Sequence, residues 1–386
     1  MSFTVDAAGL AGLPEQLDRL QLDAFRGSSY VGDHAELAYG GVLNDISADH
    51  ETVVHEVRGF LDKLGGPVAG NTAEAVRAAL TYYAHTDAKA AAAVDVSYPA
   101  TTGEHTGSLG VDGSTSYSSS ARGARFRDVV APSGHYVAPP DRHGEYPDEP
   151  AELDVISPAS WGRQAVIKAT ELAASLGLGH RWDPYEAVLQ PLTGDWNGLR
   201  ACADVFADVG VAVGDMELNL RTTAYDVPEV WTGNAADGAT GYLLKVANQL
   251  AAARQPFADL SGRYQAAAEQ AREQFKELGE RLDDLIDLVL VFIGEVSGLA
   301  AVGETGVGFL GLMALAAATA FEIYKVIHLI DLVMKEIRRQ VHQLGSLVRG
   351  SAVVGLQAKL PALEPAHLQL PGDQSGVGKV KIGPPR

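Results

Sequence analysis

The sequence predicts an all-α fold: an elongated helical bundle built from two helical hairpins, with an apolar C-terminal helical hairpin appended. Three observations carry this. Leu199, Cys202, Phe206, Val209, Val213, Met216 and Leu220 recur in alternating steps of three and four, the seam of an amphipathic helix. Val246, Leu250, Ala253, Phe257, Leu260, Tyr264, Ala267 and Ala271 repeat the alternation downstream. Ala and Gly are abundant while aromatic residues make up only 7% of the chain, a composition suited to helices packed closely through small side chains.

Charge and cysteine content narrow the function. A formal net charge of −19 excludes a nucleic-acid binder, because phosphate recognition needs clustered Lys and Arg. The same charge disfavours simple attraction to anionic lipid. One cysteine, Cys202, cannot form an intrachain disulfide. The opening "MSFTVDAAGLAGLPEQLDRLQ" has neither a basic n-region nor a long apolar h-region, so a general secretory signal is not expected.

Residues 1–93 form the first predicted helical unit. A short helix is expected from Pro14, which suits an early helical position, to Phe25. A looser stretch with Gly27, Ser28, Ser29, Gly32, Gly40 and Gly41 follows. The next helix is capped by Ser47 or Asp49, stopped by Gly65 and Gly66, and carries Val54, Val57, Leu61 and Leu64 on one face. Another, capped by Asn71 or Thr72, presents Val76, Leu80, Tyr83, Asp87 and Ala90. A short Gly turn between these two predicts an antiparallel hairpin.

Residues 94–154 are rich in Ser, Gly, Pro and Thr without an apolar period, and read as a flexible linker, with at most a short strand pair near Phe126–Val130. The second unit, 155–280, contains both seams. Pro256 inside the second seam is expected to kink its helix. Residues 281–347 form a hydrophobic helical extension, and 348–386 a flexible tail punctuated by Pro and Gly.

Between the two seams lies "DVPEVWTGNAADGATGYL", in which Trp231, Thr232 and Gly233 interrupt the helix. Gly is an ordinary turn residue and Trp is not, so the indole either closes a local core or is read from outside. Trp196, Asn197 and Gly198 match the same pattern, but at the start of a seam rather than between two. A helical hairpin joined at Trp–x–Gly resembles the WXG superfamily of type VII secretion substrates. The first unit supplies "YAHTD", placing Tyr83 and Asp87 four apart on one helix face. With both motifs in one chain, the sequence resembles the fused PE/PPE-type, EspB-like secreted proteins over roughly 1–93 and 155–280.

That resemblance implies a four-helix assembly with both motifs at one end. It implies an export signal made of Tyr83, Asp87, Trp231 and Gly233, read by a type VII secretion ATPase, and a secreted or cell-surface location. It leaves room for a dedicated chaperone over the apolar region and for a homo-oligomer.

Other motifs carry less. In "DHETVVHE", His50 and His55 stand about 140° apart around a helix, so they are read as solvated residues rather than metal ligands. "GVGFLG" at 306–311 lacks the strand frame of a dinucleotide site and fits close helix contact instead. No Ser–His–Asp or Cys–His arrangement stands out, and Cys202 is read as a small core residue. The expectation is a non-enzyme without metal or cofactor. The segment 285–332 is apolar, but Asp287, Glu295 and Glu304 interrupt it, which favours burial in the bundle or between subunits. Insertion into a target membrane, as a pore-forming effector, is the alternative, and a cytosolic helical scaffold the third reading.

Overall fold

The computed structural model describes residues 4–85, 125–141, 167, 171, 195–303, 309–350, 353, 355 and 357–365. The architecture is all-α. Seven helices are described: α1 Ala7–Leu10, α2 Gly12–His34, α3 Ser47–Lys63, α4 Asn71–His85, α5 Trp196–Val230, α6 Asn234–Gly303 and α7 Phe309–Arg349. Two strands of two residues, β1 Thr4–Val5 and β2 Trp231–Thr232, form the sheet among the described residues.

The first hairpin is larger than its sequence suggests. Instead of ending at Phe25, α2 continues through Gly27, Ser28, Ser29 and Gly32 to His34. Burial of Leu13, Leu17, Leu20, Ala24 and Val31 along one stripe holds it helical, and tertiary packing overrides the poor propensity of its glycines. The expected turn at Gly65 and Gly66 does not reverse the chain. Leu64–Gly70 is a π-helical segment containing Pro67, so α3 runs on into α4. A wider turn accommodates a residue that lacks an N–H and crowds the preceding turn.

The antiparallel partner of α3 and α4 is therefore α2. Gly32 faces Arg58, Gly27 faces Leu61, Phe25 faces Gly65, and Asp18 pairs with Arg77. Gly65 makes this approach possible, because a Cβ there would lie 2.9 Å from Phe25 Cε1 and 3.2 Å from the Gln21 carbonyl.

The second hairpin follows the predicted seams. All seven α5 seam residues are buried, and so are Val246, Leu250, Ala253, Phe257, Leu260, Tyr264 and Ala271 on α6. Ala268 takes the fully buried place expected of Ala267, which is only partly covered. Phe206 meets Tyr264 with ring centroids 5.1 Å apart, and Arg221 reaches Asn248, as antiparallel helices require. Across the two hairpins, Phe60 packs edge-on against Phe257 at 6.2 Å.

His50 is a correction. It is 2% exposed rather than solvated, with Nδ1 2.7 Å from the Tyr264 hydroxyl and Nε2 2.8 Å from the Ala35 carbonyl. A carbonyl can only accept, so Nε2 donates and Nδ1 accepts from Tyr264. His55 is exposed, as expected. Cys202 is fully buried, and burial pushes its thiol far above the ordinary range.

Three segmental expectations change. Within the supposed linker, residues 125–141 are held against α2 and α5, with Phe126 only 3% exposed, and no strand pair forms at Phe126–Val130. At residue 280 the helix has no break, because α6 is one helix of 70 residues that also runs through Pro256. In the tail, residues 353 and 357–365 pack on the bundle. Ala358 N–H donates to Glu56 at 2.6 Å, Gln249 donates to the Ala362 carbonyl at 2.8 Å, and Val353 and Leu363 are buried.

Helix α7 folds back along α6. Leu344 and Val348 line a small apolar pocket with Ile46, Leu199, Ala267 and Ala271, and Arg349 pairs with Asp45 at 3.0 Å. Among the described residues no helix is long and apolar enough to cross a membrane.

Candidate functional site

The two motifs singled out in the sequence converge at one end of the bundle. Helix α5 carries Pro228 in its last turn and ends at Val230. Trp231 then turns extended, at φ −144° and ψ 123°, while its N–H still caps the helix by donating to the Val227 carbonyl. Gly233 has φ +118°, a conformation that favours glycine, and α6 begins at Asn234. The chain thus reverses over three residues, which projects the indole sideways into the bundle rather than out along the helix axis.

Trp231 is 3% exposed. The Tyr83 ring, arriving on α4 from the first hairpin, meets it edge-to-face with centroids 6.0 Å apart and planes at 68°. Tyr82 extends the aromatic row, 5.9 Å from Tyr83 at 68°. The geometry places the positive edge of one ring against the negative face of the next. Asp87, the fourth predicted site residue, lies outside the described residues. Trp231, Gly233 and Tyr83 are brought together; Trp196 is not part of this group, since it starts α5 at the opposite end, behind the Asp195 cap.

A third element completes the tip. Strand β1 pairs antiparallel with β2, with Thr4 opposite Thr232 and Val5 opposite Trp231. The Thr4 and Thr232 hydroxyls are 2.7 Å apart, and Asp6 N–H donates to the Val230 carbonyl at 2.7 Å. Asp6 then caps α1 by accepting from Gly9 N–H at 3.1 Å. Thr4–Asp6 therefore close over the Trp–x–Gly turn. The sequence carried a signal for this in "TVD", a β-branched pair followed by a capping residue.

Two acidic residues of α5 near the tip are both engaged by the 125–141 segment. Buried Asp226 accepts from Phe126 N–H at 2.9 Å, and Glu229 pairs with Arg125 at 2.8 Å. The Trp231 indole N–H is buried and has no acceptor among the described residues, an arrangement that costs stability. Chemically, the tip brings together aromatic rings and paired main-chain groups, with the Trp231 indole buried among them. Among the described residues no group of His, Cys, Asp and Glu is arranged to hold a metal ion. Comparison with protein-family models, curated proteins and solved structures finds no match to this chain.

Proposed function

We propose that this chain is a substrate of a type VII, ESX-like secretion system, related to the WXG superfamily and to the fused PE/PPE-type, EspB-like proteins. On this reading it acts after export as a structural or interaction module, not as an enzyme. The observation that supports it is the contact between Tyr83 and Trp231. Tyr83 and Trp231, 148 positions apart and on different hairpins, meet at a bundle tip. A secretion ATPase would read that tip together with Asp87, and a single chain would present it without a separate heterodimer partner.

The test compares culture supernatant with cell pellet, in hosts with and without the type VII ATPase. Wild type in the supernatant only when the ATPase is present, with Tyr83→Leu and Asp87→Ala retained in the cell yet normally folded, is the expected result. Wild type confined to the pellet in both hosts would overturn the proposal and leave a cytosolic helical bundle.

A second reading concerns the 285–332 segment. Val291, Leu329 and Leu332 are 52%, 45% and 47% exposed on the α6–α7 hairpin, and they support membrane contact through this region or cover by a chaperone or second copy. Leakage from vesicles separates the first possibility from the other two.

A further inference from the structure

The direction of the Trp231 indole is set by backbone that belongs to neither motif. Trp231 is extended, at φ −144° and ψ 123°, between the last turn of α5 and the start of α6. A side chain stands roughly perpendicular to an extended backbone and slants back along a helical one, so a helical residue at 231 would aim its ring elsewhere. A strand of two residues has little stability of its own, and its extended form is held by what pairs with it.

That partner is Thr4–Asp6. Thr4 lies opposite Thr232 and Val5 opposite Trp231. Thr4 N–H donates to the Thr232 hydroxyl oxygen at 3.0 Å, and the two hydroxyls meet at 2.7 Å. Asp6 N–H donates at 2.7 Å to the carbonyl of Val230, the last residue of α5. Opposite residues of an antiparallel pair share one face, so Val5 stands beside the indole, partly buried against the core.

Helix α1 anchors this arm. Asp6 caps it through Gly9 N–H, and Leu10 within it is fully buried. The helix lies against both α5 and α4, the helix that carries Tyr83. Gly9 permits the approach to α5, because a Cβ there would lie 2.7 Å from Val230 Cγ1. The arm and α1 thus tie the end of α5 to α4, the two elements that bring Trp231 and Tyr83 together at 6.0 Å.

We propose that Thr4–Asp6 is a positioning element of the tip, which holds Trp231 extended against Tyr83 and is required for a secretion partner to read the two motifs. The proposal rests on the export reading above. It adds to the tip three residues that lie outside both the Tyr83–Asp87 and the Trp231–Gly233 motifs.

The test uses the full chain labelled with fluorotryptophan. The fluorine line of Trp231 is identified by its loss in Trp231→Phe, and that of Trp196, at the opposite end, by its loss in Trp196→Phe. Asp6→Pro removes the N–H that reaches Val230 together with the cap, whereas Asp6→Asn keeps both. In Asp6→Pro the Trp231 line is expected to shift, with the Trp196 line and helical circular dichroism unchanged. ATPase-dependent export falls roughly five-fold, the change in paired-to-unpaired ratio set by one net hydrogen bond. Asp6→Asn matches wild type in both readouts. Thr4→Val removes one hydroxyl and leaves the main chain intact, and it shifts the same line by less; it decides the matter if Asp6→Pro does not fold. An unmoved Trp231 line in both Asp6→Pro and Thr4→Val, or a shifted line with export undiminished, would overturn the proposal. Wild type confined to the pellet would instead sink the export reading and the recognition role with it, so the two failures are distinct.

Discussion

The ring of Tyr83 stands edge-on to the ring of Trp231, 6.0 Å between centroids, and joins the last described turn of the first hairpin to the reversal of the second. The contact has both a structural and a recognition value, and substitutions can separate them. Trp231→Ala removes a side chain that is 97% buried and is expected to cost roughly 3–5 kcal/mol. Trp231→Phe keeps an aromatic face for Tyr83 and removes a buried N–H that has no acceptor among the described residues. Its cost is expected to stay within about 1.5 kcal/mol. Urea denaturation of the two variants measures the difference. A Phe variant as unstable as the Ala variant would show that the indole N–H is bonded in solution.

Gly233 is tied to the same turn by its backbone. At φ +118° a side chain is strained, and Gly233→Ala is expected to lose roughly 1–3 kcal/mol. The loss is local to the reversal, so amide exchange should quicken at Thr232–Ala236 and at the β1 pairing partners before it does in the α5 seam. Uniform quickening throughout both hairpins would argue instead that the turn is part of the cooperative core.

Asn219 is the principal polar anchor of residues 125–141. It satisfies three main-chain groups with one amide, while being 3% exposed itself. Asn219→Leu fills similar space and leaves those groups without partners, at roughly 1–3 kcal/mol for each group that water cannot reach. The expected outcome is faster amide exchange over 125–141 with little change in the α3 and α6 core. Unaltered exchange at Val129 and Val130 would refute this assignment.

His50 gives the stability of the fold a pH dependence. Burial lowers its pKa in the folded chain, outweighing the Ala35 hydrogen bond and the Glu51 charge. The folded state therefore favours the neutral ring. Its contribution is complete above about pH 6.5 and is lost as the pH falls below that, because the unfolded chain then takes up a proton that the folded chain resists. Melting temperature should fall between pH 7.5 and 5, and His50→Gln should be less stable overall but flatter over the same range. Identical pH profiles for the two proteins would exclude His50 as the source.

The helical class and both α5–α6 seams were legible because helical periodicity is a local property. A residue three or four positions from its neighbour lies on the same face whatever the partner is. The Tyr83 and Trp231 motifs were legible for the same reason, each marking the end of a patterned helix. Other features depended on partners distant in the chain. His50 looks solvated in "SADHETVVHE" until Tyr264 and Ala35 surround it. The glycines after Phe25 read as a loop, yet they permit the approach of Tyr136 and Arg58 to α2. Residues 125–141 have no period of their own, because side chains of α2 and α5 satisfy their main chain. Strand β1 is two residues long, too short to announce itself, and exists through its pairing with Trp231 and Thr232. The sequence by itself determined which stretches are helices and which faces they bury. Tertiary structure decided where each irregular segment lies, since an unpatterned segment gains its order only from the groups that meet it.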